Sequence, residues 1–319
     1  MKYHQNRRTF FQNTTAGIAG LGAASALAVH PALSHGAGAA VKVAVVKNMK
    51  AISDRNVCDG KQARLMIDRA LTALTGKQNA GEAWASLGVV KDDAVGIKVN
   101  CNSWTFRLFT HPELVYALCD SLAAVVPPNN IIIYERSSSE MASCGYRVNK
   151  GASGVRCFGN NEGGGFRSGE ELTSIITDTC TKLINMPSLK TVEGEFGGSL
   201  FLKNHIGSIP DSHMSRCHGD ADFCSQVCAR PSIRNKTILG VCDGLRGTYK
   251  RGTPWYFGGI VVSRDQVAAE CVALEMINEK RKIENLPALS VPRYVTNAGA
   301  KYGLGISDSK AISTEMITL

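Results

Sequence analysis

This chain is organised around the run Lys182-Leu-Ile-Asn-Met-Pro-Ser-Leu-Lys-Thr191 and, after a glycine-bearing connection, the run Phe201-Leu-Lys-Asn-His-Ile-Gly-Ser-Ile-Pro210. A short apolar segment ends on Asn185, and Pro187 stops it because proline cannot continue a strand ladder. Within twenty residues two lysines, an asparagine and a histidine follow. A proline that ends a strand and several polar side chains occur close together here, which predicts that the segment lines a functional site.

Outward from this segment, short apolar runs alternate with helical patterns. The runs at 41–47, 94–99, 130–134, 183–185, 237–241 and 259–262 are predicted strands, and apolar stripes at helical spacing lie between several of them. Strands that alternate with helices favour parallel pairing. The sequence therefore predicts an open, mostly parallel, Rossmann-like α/β sheet with helices on both faces.

The pattern divides the chain into three parts. Residues 1–39 are a leader, 40–290 a single α/β domain, and 291–319 a C-terminal tail of irregular structure packed on that domain. A Gly/Ser-rich insertion at 136–170 and a Cys-rich insertion at 211–230 interrupt the domain. The glycines of the first insertion do not lie between a strand and a helix start, so a mobile surface loop is predicted rather than a phosphate loop.

The leader carries the twin-arginine pattern Asn6-Arg7-Arg8-Thr9-Phe10-Phe11, followed by a weakly apolar run rich in glycine and alanine. That run is shorter than the roughly 20 apolar residues that a membrane span needs. We therefore predict a cleaved export signal, the twin-arginine translocase as a partner, a periplasmic or otherwise exported location, and no stable membrane span after cleavage.

Composition and charge limit the kinds of function that the chain can have. The chain is 44% hydrophobic and 20% charged, which is ordinary for a globular protein. Without the leader its charge is 33 minus 27, or +6, since Lys2, Arg7 and Arg8 leave with no acidic residue. The basic residues are scattered and few aromatic residues lie among them. No nucleic-acid partner is predicted.

Polar or ionisable residues end the predicted strands. In open α/β sheets the ligand crevice lies outside the carboxyl ends of the strands, so such residues meet at one edge. A lone asparagine or aspartate after a strand is usually a turn former, but five strands with polar ends predict a shared site. The residues at these ends are Lys98 and Asn100, Glu135, Asn185, Asp243, and Asp265.

The mixture of charges suggests roles. Lysines can hold phosphate or carboxylate groups as point charges, while carboxylates can hold a hard cation or transfer protons. An internal ion-pair network that only orders the crevice is the alternative. We predict Lys98, His111, Glu135 and Asp243 as catalytic residues, and Asn100, Asn185, Lys190, Lys203, Asn204, His205 and Asp265 as ligand-binding residues.

His111 belongs to the motif Thr110-His-Pro-Glu113. Threonine three residues before glutamate is typical of a capping box, and proline is tolerated in a first helical turn. Structure thus accounts for three of the four residues. His111 is left as a candidate acid, base or ligand, because it stands at a helix start just beyond the Lys98 strand.

Several of these motifs together resemble the signature of the domain of unknown function 362 family. The resemblance rests on Asn185-x-Pro187, Leu202-Lys203-Asn204 and Gly207-x-Ile209-Pro210, and it covers most of the chain between 41 and 281. It implies a largely uncharacterised function, and some members carry iron–sulfur ligands whose usual spacing this chain lacks. Further matching motifs are Ile97-Lys-Val-Asn100, Thr110-His-Pro-Glu113, Leu189-Lys190, Cys242-Asp-Gly244, Gly252-Thr-Pro254 and Arg264-Asp-Gln-Val-Ala268.

The chain has 11 cysteines, an odd number, so disulfides alone cannot use every thiol. The densest cluster predicts a metal site, with an iron–sulfur cluster or another metal ion as possible cofactor. The spacing matches neither a zinc ribbon nor a bacterial ferredoxin, and structural disulfides are an equal alternative in an exported protein. The candidate metal ligands are Cys217, Cys224, Cys228, His213 and His218.

Three functional hypotheses follow. The first is a metal or iron–sulfur protein in redox chemistry, with a redox partner. The second is a non-redox enzyme for a small anionic ligand, with the cysteines in disulfides, and the third is a periplasmic binding or assembly factor. No nucleophile elbow, P-loop or serine triad motif is present, so the sequence names no reaction class and does not decide whether the chain is an enzyme.

Overall fold

The structure, a computed structural model, describes residues 40–102, 107–192 and 197–319. The predicted export signal at 1–39 lies outside the described residues. Within the described ranges, no helix combines the length and the apolar character that a membrane span requires.

The central sheet has eight strands within the described ranges, in the order β12-β1-β11-β8-β7-β2-β3-β4. β8, β7, β2, β3 and β4 run parallel, β11 opposes both β8 and β1, and β12 runs parallel to β1. The predicted open, mostly parallel α/β sheet is confirmed. In chain order the strands are β1 (Val41–Lys47), β2 (Val95–Lys98), β3 (Ile131–Glu135), β4 (Arg156–Gly159), β5 (Phe166–Arg167), β6 (Leu172–Thr173), β7 (Lys182–Asn185), β8 (Thr237–Gly244), β9 (Gly247–Lys250), β10 (Thr253–Trp255), β11 (Gly259–Ser263) and β12 (Ile312–Thr318).

Helices cover both faces of the sheet. α1, α2 and α3 share one apolar core with the sheet, while α5, α7, α9 and α10 lie in the cores of the opposite face. The α-helices of the described residues are α1 (Gly60–Thr75), α2 (Ala80–Ser86), α3 (Pro112–Leu122), α4 (Ser138–Ser143), α5 (Phe201–Asn204), α6 (Asp211–Met214), α7 (Phe223–Cys228), α8 (Pro231–Lys236), α9 (Gln266–Ile283) and α10 (Arg293–Ala300).

The register of the central strands places polar side chains in a row. Lys98 at the end of β2 is paired with Tyr134 of β3 and with Asn185 of β7. Paired residues of parallel strands point to the same face because side chains alternate along each strand. Their chain neighbours Ile97, Ile133 and Ile184 accordingly lie in the core of the α1–α3 face. The side chains of Asn185, Lys98 and Tyr134 therefore point to the other face of the sheet, opposite the α1–α3 face.

Two sequence predictions about regular structure were wrong. The Gly/Ser-rich region is not only a loop, because β4 lies within it and pairs with β3 as an edge strand. The C-terminal tail is not irregular, since α10 packs against α7 and α9 and β12 pairs with β1 along its whole length. Both strands are edge strands that depend on one neighbour, so their local patterns carry little signal.

Candidate functional site

Four side chains from three parts of the chain form a continuous hydrogen-bonded series at the carboxyl ends of β2 and β7. Asn204 donates to Asn185 Oδ1 at 2.7 Å and to the carbonyl of Lys98 at 3.2 Å. Asn100 donates to Asn204 Oδ1 at 3.0 Å, and Lys190 Nζ donates to Asn100 Oδ1 at 2.6 Å. All are buried. We refer to Asn100, Asn185, Lys190 and Asn204 as the amide network.

Lys190 is the only ionisable member of this network. Its ammonium also donates to the carbonyls of Asn102 and Leu108, at 3.0 and 3.3 Å. Among the described residues, all three of its hydrogen-bond acceptors are therefore neutral oxygens. Burial lowers the pKa of Lys190 to about 8, because the charged form loses its hydration. The site thus holds a desolvated cation that no carboxylate touches within the described part of the chain.

Beside the network, Lys98 and Glu135 form a buried ion pair. Lys98 Nζ lies 2.9 Å from Glu135 Oε1 and donates to the carbonyl of Val99 at 2.7 Å. Gly207 lies against this pair, since a Cβ there would fall 2.6 Å from Glu135 Oε1 and 2.9 Å from Lys98 Nζ. A side chain at this position would collide with the ion pair, which accounts for the glycine of the Gly207-x-Ile209-Pro210 motif.

A histidine–aspartate pair lies at the same edge of the sheet. Asp243 Oδ2 accepts the backbone N–H of His111 at 2.7 Å and lies 2.8 Å from His111 Nδ1. On the other side of the ring, His111 Nε2 lies 3.1 Å from Asn56 Oδ1. Asn56 has a φ of 58°, in the left-handed region that asparagine tolerates. Since each ring nitrogen faces an oxygen acceptor, a doubly protonated imidazole satisfies both.

The electrostatics of the pair agree with that protonation state. Burial lowers the pKa of His111, but the charge of Asp243 and the hydrogen bond to it outweigh burial, and the net effect is a raised pKa. The His111 side chain is buried, and its contact with Asp243 fixes the orientation of the ring. This is the arrangement of an oriented proton donor.

Thr110 joins the histidine–aspartate pair to the amide network. Its hydroxyl donates to the carbonyl of Met186 at 2.7 Å and accepts the backbone N–H of Asn100 at 3.0 Å. The predicted capping box is wrong, because the Thr110 hydroxyl bonds to these distant groups and α3 begins after His111 without a side-chain cap. Thr110 therefore links two parts of the site and does not cap α3.

Asn204 lies in the segment Phe201–Ser208, and this segment is anchored to α9. Glu270 accepts the backbone N–H of Leu202 at 2.7 Å and the Tyr294 hydroxyl at 2.8 Å. Burial raises the pKa of Glu270 to about 7. Asn185 also donates to Gln266 of α9. These anchors hold Asn204 over the strand ends.

Two predicted ligand-binding residues lie elsewhere. Asp265 caps α9, where its Oδ1 accepts the N–H groups of Val267 and Ala268 at 2.9 Å each. It follows β11, the strand that opposes β8, so it is not brought to the edge where Asp243 lies. Lys203 is half-buried and acts on the cysteine side of α5, where its charge opposes the rise that burial causes in the pKa of Cys217.

The predicted metal ligands do not form one centre. Among the described residues, no three His, Cys, Asp or Glu side chains are placed to hold a metal ion. His213 Nδ1 lies 3.5 Å from Glu171 Oε1, and His218 is exposed. All 11 cysteines, each within the described ranges, are free buried thiols, so the alternative prediction of structural disulfides finds no bond in the structure.

Sequence analysis missed several residues that the site uses. Asn56, Tyr134 and Glu270 contact or adjoin predicted site residues but belong to no recognised motif, and Gln266 lies in the motif Arg264-Asp-Gln-Val-Ala268 without having been predicted as a site residue. Tyr134 ends an apolar run directly before Glu135, and that position is the one sequence signal that could have indicated it. The others reach the site only through tertiary packing.

A family model described as "Domain of unknown function (DUF362)" matches residues 95–275. The match spans more than half of the chain and includes the whole amide network, the Lys98–Glu135 pair, His111 and Asp243. No curated protein and no solved structure gives a significant match.

Proposed function

The chain belongs to the domain of unknown function 362 (DUF362) family, and from that premise we propose that it binds a small anionic ligand at Lys190. The ligand would carry a phosphate or carboxylate group. The single observation behind this proposal is the Lys190 ammonium, which is buried and hydrogen-bonded only to neutral oxygens among the described residues. An approaching anion would neutralise a charge that is otherwise expensive to keep out of water.

The surroundings of Lys190 can bind the oxygen atoms of a phosphate or carboxylate group. The amides of Asn100 and Asn204 can turn donor groups toward such oxygens. The neighbouring Lys98 is paired with Glu135 and adds no net charge, so the positive charge offered to an anion is that of Lys190. Lysine holds anions as a point charge, so the chemistry specifies charge more than shape.

The test measures the thermal stability of the full chain with inorganic phosphate and with a series of mono- and dicarboxylates. A ligand at about a hundred times its Kd should stabilise the protein by about 2.7 kcal/mol, a rise in Tm of several degrees. In Lys190→Met the rise should disappear. The exposed lysine variant Lys77→Met should keep it. A full response in Lys190→Met, or no response of the unaltered chain to any anion, would overturn the proposal.

A second candidate function, proton transfer to the bound ligand, is favoured by the His111–Asp243 pair. Its 2.8 Å contact fixes the ring, and the raised pKa of His111 favours the protonated form of the ring. Such a pair contributes typically 10²–10⁴-fold to a reaction rate. If a ligand is identified, loss of turnover in His111→Gln with retained ligand binding would distinguish catalysis from binding alone.

The metal and redox hypothesis has less support. The thiols of Cys224 and Cys228 lie in an apolar core with pKa values that burial raises, and a metal needs the deprotonated form. Cys228 donates its S–H to the carbonyl of Leu202 at 3.3 Å. These residues do not fit a metal or cluster as placed, and we derive no chemistry from one.

Export is part of the proposal and rests on Arg7 and Arg8. The twin-arginine pattern and the following small, weakly apolar run favour translocation of the folded protein to the periplasm or beyond. An anion-binding protein in that compartment would act as a binding protein or enzyme for an extracytoplasmic solute.

A further inference from the structure

Next to the amide network lies a second group of buried polar side chains. Tyr134, His205 and Ser208 are each 0% exposed. The Tyr134 hydroxyl, both ring nitrogens of His205 and the Ser208 hydroxyl have no hydrogen-bond partner among the described residues. Buried polar atoms in native proteins are almost always hydrogen-bonded, so this group calls for an unseen partner.

The fold brings the three side chains to one place. Tyr134 lies beside Lys98 on the covered face of the sheet. His205 and Ser208 are three residues apart in the 3₁₀ turn His205–Ser208, where such residues are eclipsed. Gly207 of the same turn lies against Lys98. Burial raises the pKa of Tyr134 and the nearby Ser208 hydroxyl opposes that rise, although the two hydroxyls do not meet in hydrogen-bond geometry.

Lys98 contributes a further unused donor. An ammonium carries three N–H groups, and among the described residues those of Lys98 reach only Glu135 and the carbonyl of Val99. Burial, and then the charge of Lys98, lower the pKa of His205 to about 3, which places the ring under the influence of this lysine. The third donor and the ring nitrogens thus belong to one neighbourhood.

The charge of this neighbourhood selects the kind of ligand. Glu135 neutralises Lys98 at 2.9 Å. His205 is neutral above a pH of about 3, and the buried tyrosine hydroxyl stays protonated. Because the Lys98–Glu135 pair carries no net charge, the neighbourhood offers an anion no net positive charge and a metal cation no net negative charge. A neutral ligand that both donates and accepts hydrogen bonds fits the imidazole and the two hydroxyls.

We infer that Tyr134, His205, Ser208 and the third N–H of Lys98 hold ordered water at an internal site beneath the turn His205–Ser208. Buried water makes about three hydrogen bonds to otherwise unsatisfied groups, which these residues can supply. This internal water site is separate from the anion proposed at Lys190 and does not depend on it.

Tyr134→Phe tests the inference by removing one oxygen atom. If that oxygen binds water, the variant should lose about 2–6 °C in Tm. The matched control is Tyr146→Phe, a buried tyrosine whose hydroxyl donates to the carbonyl of Thr110 at 2.7 Å. Both variants should fall by similar amounts, and Ser208→Ala should fall as well. A crystal structure of the full chain should show water density within hydrogen-bond distance of at least two of the four atoms.

The opposite results are equally clear. An unsatisfied hydroxyl destabilises the fold, so its removal would leave the Tm of Tyr134→Phe unchanged or raise it while Tyr146→Phe still falls. That outcome, a dry site in the crystal structure, or density for an ion in place of water would overturn the inference.

Discussion

The amide network and the Cys-rich segment at 211–230 differ in what their side chains form in the folded chain. The network gathers Asn100, Asn185, Lys190 and Asn204 from three separate parts of the chain into contacts of 2.6–3.0 Å. The cysteines are close in sequence, yet they are buried as free thiols and no metal-holding group forms among the described residues. Residues far apart in the chain thus form one hydrogen-bonded network, whereas the neighbouring cysteines share an apolar core without forming a metal-holding group among the described residues.

The difference has a geometric cause. Parallel strands carry their carboxyl ends to one edge, so Lys98 and Asn185 meet at the ends of β2 and β7 although they are 87 positions apart in the chain. Lys190 joins them from the segment after β7, and Asn204 from the end of α5. In contrast, α7 turns Cys224 and Cys228 toward an apolar core that includes Phe223 and Val227. Buried free cysteine behaves as a small hydrophobic residue. Substitutions in the two regions should therefore differ in their effects on the free energy of unfolding and on anion binding.

The largest effect is expected from Lys98→Met. This change leaves Glu135 buried without its partner, so the free energy of unfolding should fall by about 3–5 kcal/mol. Urea denaturation at neutral pH measures it. The double variant Lys98→Met/Glu135→Leu, which removes both charges, should recover much of the loss. Extrapolated free energies of unfolding carry an uncertainty of about 10–15%. A single variant that stays within about 1 kcal/mol of the unaltered chain, well short of the loss expected for a broken buried pair, would show that the ion pair does not stabilise the fold.

The next effect concerns the histidine–aspartate pair. A raised folded-state pKa means that His111 contributes stability fully below its unfolded pKa of about 6.5, and that this contribution is lost as pH rises through the higher folded pKa. Asp243→Asn removes the charge, so burial should then lower the pKa of His111. We expect a loss of roughly 1–3 kcal/mol at pH 6. The His111 contribution should also no longer make stability fall as the pH rises from about 6 to 8, because the folded state then binds no more protons at this ring than the unfolded state does.

Titration by NMR follows the His111 ring directly, with the His218 resonance near the cysteines as an internal control. The pKa of His218 is lowered by burial and by Lys203, and Asp243 is not among those causes. A His111 pKa that stays raised in Asp243→Asn would contradict the assignment of Asp243 as its main partner.

Sequence patterns predicted the sheet and much of its polar edge because both depend on apolar runs and their ends. Lys98, Asn185 and Asp243 stand where buried strands stop, and that signal is local. Strand direction is not local. Periodicity is the same for either direction, so the antiparallel β11 carried Asp265 to the wrong edge. The partners Asn56 and Glu270 reach the site through tertiary packing, for which one sequence holds no periodic signal.

The smallest effect is expected in the Cys-rich segment. Cys228→Ala removes a buried sulfur and one weak S–H hydrogen bond to Leu202, so the free energy of unfolding should fall by about 1 kcal/mol. Because the thiol is part of an apolar core and not of the amide network, any anion response dependent on Lys190 should persist at full size. Metal analysis and visible absorbance of anaerobically purified protein supply the second measurement. If the unaltered chain carries metal or iron–sulfur absorbance that Cys228→Ala loses, the cysteines are ligands after all, and the contrast between the two regions reverses.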